Sequence, residues 1–109
     1  MNYDEDWPDQ TMENRRVMAK KTIRPATMDE LKQLGEERFP NVTDPWCARY
    51  NAFLESHADA KFYRAEIPGN VEIVYCADSG QGVWFLPEKG MGAIQPKGLQ
   101  MLGEVVKSL

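Results

Sequence analysis

Between Val71 and Ile94 the chain reads VEIVYCADSGQGVWFLPEKGMGAI, where β-branched and aromatic residues crowd between Gly-rich turn signals. Val71, Ile73 and Tyr75 alternate with Glu72, Val74 and Cys76, and after Asp78-Ser79-Gly80-Gln81-Gly82 the run Val83-Trp84-Phe85-Leu86 begins. That is the pattern of antiparallel strands joined by tight turns. Upstream, Ala60 to Ile67 mixes charged and aromatic residues as an edge strand with one wet side would, and Pro68-Gly69-Asn70 turns it into the Val71 strand. Downstream, Pro87-Glu88-Lys89-Gly90 makes a further turn into a short strand around Met91 to Ile94.

Helices flank this meander. Thr27-Met28-Asp29-Glu30 has capping-box spacing, with the Thr27 oxygen and the Glu30 carboxylate each expected to satisfy a helix amide. The helix that starts there, with Met28, Leu31 and Leu34 as its stripe, ends at Phe39-Pro40. Asp44-Pro45 starts a second helix whose apolar arc is Trp46, Tyr50, Phe53, Leu54 and His57 and which should finish near Ala58. After Gln95-Pro96, Leu99, Leu102, Val105, Val106 and Leu109 share one arc of a closing helix. The expected order is α-α-β-β-β-β-α. The class is α+β: one domain, with a three- to four-stranded antiparallel β-meander packed on two to three helices that cover one sheet face.

Residues 1–24 read as a polar arm with segregated charge, ahead of a domain at 25–109. The arm carries Asp4, Glu5, Asp6, Asp9 and Glu13 and then Arg15, Arg16, Lys20, Lys21 and Arg24, so the formal net charge of −4 lies wholly in the rest of the chain. Its composition predicts mobility, with a helix over Thr11 to Lys21 if the segment docks. An acidic body repels phosphate backbones, which excludes nucleic acid as a partner of the folded body. No window approaches the ~20 apolar residues of a membrane span, and the acidic start MNYDEDW differs from a secretory signal, so a cytoplasmic location is expected. There Asn41-Val42-Thr43, which matches a glycosylation acceptor, carries no meaning.

Few residues point to chemistry. Gly80-Gln81-Gly82 and Gly90-Met91-Gly92 lead into strands rather than helices, so hairpin turns or bulges account for them better than a phosphate-binding loop. His57 is the only histidine and lies in the last turn of the second helix, where a bond to a helix carbonyl is the structural alternative to catalysis. Cys76 with His57 is the one nucleophile–base pair available, although nothing local lowers the thiol pKa and a strand cysteine usually packs as a small hydrophobe. Adjacent carboxylates at Asp29-Glu30 and Glu36-Glu37 face different directions on a helix. With Cys47 and Cys76 far apart in sequence, no metal site and no cofactor are expected.

Trp84 has the most to explain. Val71, Ile73 and Tyr75 should face the helices, together with either Val83 and Phe85 or Trp84 and Leu86. In the first arrangement Val74, Cys76, Trp84 and Leu86 form a second apolar surface, covered either by the chain's own elements or by another molecule. The expectation is a small, acidic, cytoplasmic protein-binding or regulatory module without catalysis, acting through that sheet surface with a protein partner or as a homodimer. The alternatives are a small-molecule binder with Trp46, Tyr50, Tyr75 and Trp84 lining a pocket between sheet and second helix, and an enzyme using Cys76 and His57.

Overall fold

A computed structural model describes residues 12–41, 43–86 and 90–109. The elements in order are α1 (Met12–Thr22), β1 (Arg24–Ala26), α2 (Met28–Arg38), α3 (Pro45–Glu55), β2 (Phe62–Ile67), β3 (Val71–Cys76), β4 (Gln81–Leu86), β5 (Gly90–Ala93) and α4 (Pro96–Lys107). The α+β class and the antiparallel meander are as the pattern demands. The sheet has five strands, in spatial order β1-β2-β3-β4-β5. The additional strand, β1, runs antiparallel along β2 with Arg24 opposite Arg64. β2 is therefore an interior strand and not the edge expected from its mixed composition.

Local chemistry sets the helix starts. Thr27 accepts a hydrogen bond from the Glu30 amide at 3.1 Å, and Asp44 accepts from the Trp46 amide at 2.9 Å with Pro45 in the first turn. The other half of the expected capping box is absent, because Arg24 and Arg64 both donate to Glu30 Oε2, at 3.1 and 2.9 Å. Charge-assisted bonds from guanidinium groups outcompete a neutral backbone amide. α2 closes at Phe39, whose N–H donates to Gly35 C=O at 2.8 Å. α3 ends at Glu55, three positions before Ala58, and Ser56 caps it.

Helices cover both faces of the sheet. On one, Ala65, Ile67, Val71, Ile73, Tyr75, Trp84, Leu86 and Ile94 pack under α1, through Ala19, and α4, through Met101, Leu102 and Val105. On the other, Phe62, Val74, Cys76, Val83, Phe85 and Met91 pack under Leu31 and Leu34 of α2, Phe39, and Tyr50 and Leu54 of α3. The expectation of one covered face is corrected: the central strands β3 and β4 are apolar on both sides, and leaving either side in water would forfeit the transfer energy of several large side chains, about 1.5–3 kcal/mol each.

The register decides which residues share a face. Ile73 stands opposite Trp84, Val74 opposite Val83 and Glu72 opposite Phe85. Trp84 and Leu86 therefore join Val71, Ile73 and Tyr75, the second of the two arrangements allowed by the sequence. Of the arm, residues 1–11 lie outside the described residues, while α1 docks on the sheet with Ala19 fully buried and Arg16 bridging Glu104 of α4 at 3.1 Å. Among the described residues no helix is long and apolar enough to cross a membrane.

Candidate interaction surface

The residues expected to form a site are scattered by the fold. Val74 and Cys76 lie on the α2/α3 face and Trp84 and Leu86 on the α1/α4 face, all at most 7% exposed. They do not make one surface, because the register puts them on opposite sides of the sheet, and the chain's own helices cover both sides. The aromatic pocket fails for the same reason. Tyr50 is wholly buried on the α2/α3 face, its hydroxyl donating to Leu31 C=O at 2.7 Å and its phenol held well above its usual pKa by burial. Tyr75 and Trp84 lie across the sheet, and Trp46 is 36% exposed at the start of α3.

Cys76 is 0% exposed, paired with Phe62 on one side and Gln81 on the other, so its sulfur is withdrawn from any substrate. His57 Nδ1 lies 2.8 Å from Phe53 C=O, and since a carbonyl only accepts, the proton in that bond sits on Nδ1. The imidazole packs beside Phe53 and Phe62, with ring centroids at 5.3 and 6.5 Å. It terminates α3. No group of three or more His, Cys, Asp or Glu stands close enough to hold a metal ion among the described residues.

Two polar features lie outside the residues expected to form a site. One is an alternating ladder, Arg24–Glu30–Arg64–Glu72–Arg38, that ties β1, α2, β2 and β3 together. Arg64 bridges both carboxylates from β2, and Arg38 reaches Glu72 at 3.1 Å. Burial opposes charge on Glu30, but the bonds from Arg64 and Arg24 outweigh it and hold the carboxyl below its ordinary value of 4.5. The ladder flanks a cleft of about 250 Å³ beside Thr22 and Glu66. Each of its carboxylates is already engaged, so its evident work is to fasten α2 to the sheet.

The other feature is the β5 edge. Ile94 N–H bonds Gly82 C=O at 3.1 Å, so Gly92 with Trp84 and Gly90 with Leu86 are the pairs that exchange ladder hydrogen bonds. The backbone groups of Met91 and Ala93 consequently point away from β4. Ala93 C=O accepts from the Trp84 indole N–H at 3.1 Å. The Met91 N–H, Met91 C=O and Ala93 N–H have no partner among the described residues.

Glycines make this edge. In each Gly-x-Gly the first residue supplies positive φ, Gly80 at 70° and Gly90 at 75°, while the second lies in a strand against a side chain. A Cβ on Gly92 would fall inside the Trp84 indole. Trp46 lies alongside, its indole Cδ1 3.5 Å from where a Gly90 Cβ would be, with the Arg49 guanidinium 4.9 Å from its ring centroid. An exposed Trp stacked with Arg combines the two side chains that most often dominate protein interfaces. The sequence signal for this surface was available: β5 is the last strand of a meander, hence an edge, and it carries neither Pro nor charge. Scans of protein-family models, of curated proteins and of solved structures return no match for this chain.

Proposed function

We propose that this protein is a cytoplasmic protein-interaction module without catalysis, which takes its partner by strand addition at β5 with Trp46 beside it. The observation that carries the reading is the row of outward backbone groups at Met91 and Ala93, three of them without a partner among the described residues, on a strand that carries neither proline nor charge. Main-chain bonding to an added strand supplies affinity, and Trp46 with Arg49 supplies a side-chain anchor. Free thiols at Cys47 and Cys76 accord with a reducing compartment. The strand edge is preferred to the sheet face expected from the sequence because, among the described residues, helices of the chain itself pack on both apolar faces.

The test is peptide selection. Heptapeptides chosen from a random display library on the wild type should lose at least about tenfold in affinity for Ala93→Pro, equivalent to 1.4 kcal/mol. That substitution deletes an outward N–H and no bond to β4, and the Ala93 side chain is exposed. If selection yields no binder, or binders indifferent to Ala93→Pro, strand addition is wrong.

A further inference from the structure

We infer that the strand seated on the β5 edge is the β5 of a second copy of this chain, antiparallel about a twofold axis at Gly92; this rests on the strand-addition reading and names its partner. The outward groups are self-complementary about that point. With Gly92 facing Gly92 of the partner subunit, Met91 N–H donates to C=O of the partner's Ala93, and Ala93 N–H donates to C=O of the partner's Met91. Symmetry repeats both bonds, and every outward group of the strand is satisfied. The Ala93 carbonyl serves the Trp84 indole and the partner together, because a carbonyl oxygen has two lone pairs.

Charge and shape select a second copy over a foreign strand. The protein carries a net charge of −4, yet Gly90-Met91-Gly92-Ala93 has no charged residue, so two copies meet along a neutral line. Gly92 puts no side chain of its own at the axis, and each Trp84 indole lies over its own Gly92, so the two indoles flank the axis. In this register Gly90 falls opposite Ile94 of the partner subunit. Trp46, packed at Gly90 and 36% exposed, is thereby carried onto the end of the partner's strand. The product is one continuous sheet through both protomers, in which the open edge no longer exists.

The experiment is light scattering of the full chain from about 1 to 200 µM, the range in which small interfaces assemble, joined to amide exchange at Met91 and Ala93. The wild type should be dimeric, with both amides protected in proportion to the dimer fraction. Ala93→Pro should be monomeric, with unchanged far-ultraviolet circular dichroism. Ala93→Lys, which keeps every backbone group and sets a cation on the edge, should also be monomeric, and it decides the matter if the proline variant fails to fold. Trp46→Ala should raise the dissociation constant about three- to tenfold. A wild type that stays monomeric with freely exchanging Met91 and Ala93 amides overturns self-pairing, as does a dimer that Ala93→Lys leaves intact. Strand addition survives the first of these if selected peptides still depend on Ala93 and falls with it if they do not.

Discussion

The two edges of the sheet are built by opposite means. At β1 the residues bonded to β2 are Arg24 and Ala26, so the outward backbone position is Pro25, which has no N–H to offer. Where β1 stops short, Thr22 takes over: its hydroxyl accepts from the Glu66 N–H at 2.7 Å and donates to the Glu66 C=O at 3.0 Å, as a neighbouring strand would. At β5, among the described residues, no proline, charge or flanking hydroxyl stands outward, and one carbonyl is engaged, by Trp84. A chain that seals one edge with a proline and a borrowed hydroxyl can leave the other for pairing without polymerising, because an open sheet needs two free edges to grow.

The sharpest way to break the contrast is Gly92→Ala. The added methyl has no room beside the Trp84 indole and must displace it, which should lower stability by about 2–3 kcal/mol and release the Ala93 carbonyl. Denaturant unfolding measures the loss, and a midpoint equal to wild type would mean that Trp84 does not pack on β5. Next comes Thr22→Val, which leaves the Glu66 N–H and C=O without their hydroxyl; about 1 kcal/mol of destabilisation is expected, by the same unfolding measurement. An unchanged midpoint would show that water seals this edge as well as Thr22 does.

Acid sharpens the β1 side specifically. The folded pKa of Glu30 is depressed, so its contribution is present above the ordinary value of 4.5 and lost as pH falls through the folded value. Stability should therefore decline below about pH 4.5 in the wild type and decline less in Glu30→Gln, which cannot titrate. Parallel pH profiles for the two proteins would remove Glu30 from the acid response. Smallest in energy is Pro25→Ala, within about 0.5 kcal/mol of wild type, yet it gives β1 the outward N–H that it lacks. The variant should form species larger than a dimer in light scattering. If its assembly state matches wild type, Pro25 is not what closes that edge.

Much of the fold was legible because its signals are local. Thr27 and Asp44 start helices by bonding amides two or three residues away, and Gly69-Asn70, Gly80 and Gly90 turn the chain through positive φ. Each depends on neighbours in sequence. On α4 the spacing finds Leu102 and Val105, which are buried, with Leu99 and Val106 partly so; it misses the buried Gly98 and Met101, and Leu109, past the helix, is 65% exposed. The site was another matter. Trp84 looked like the centre of an exposed surface because a Val-Trp-Phe-Leu run shows that both sides of a strand are apolar and is silent on what covers them.

By itself the sequence determined the element types, their starts, the tight turns and the apolar character of both strand faces, because each of these is settled within a few residues by capping, φ preference and periodicity. Only the tertiary structure decided that Trp84 shares a face with Ile73, that α1 and α4 close that face, that Arg64 bridges Glu30 and Glu72, and which backbone groups of β5 point outward. Those outcomes depend on strand register and on contacts between residues far apart in sequence. A shift of one residue would exchange every inward and outward group, and the energy that forbids the shift resides in the packed whole.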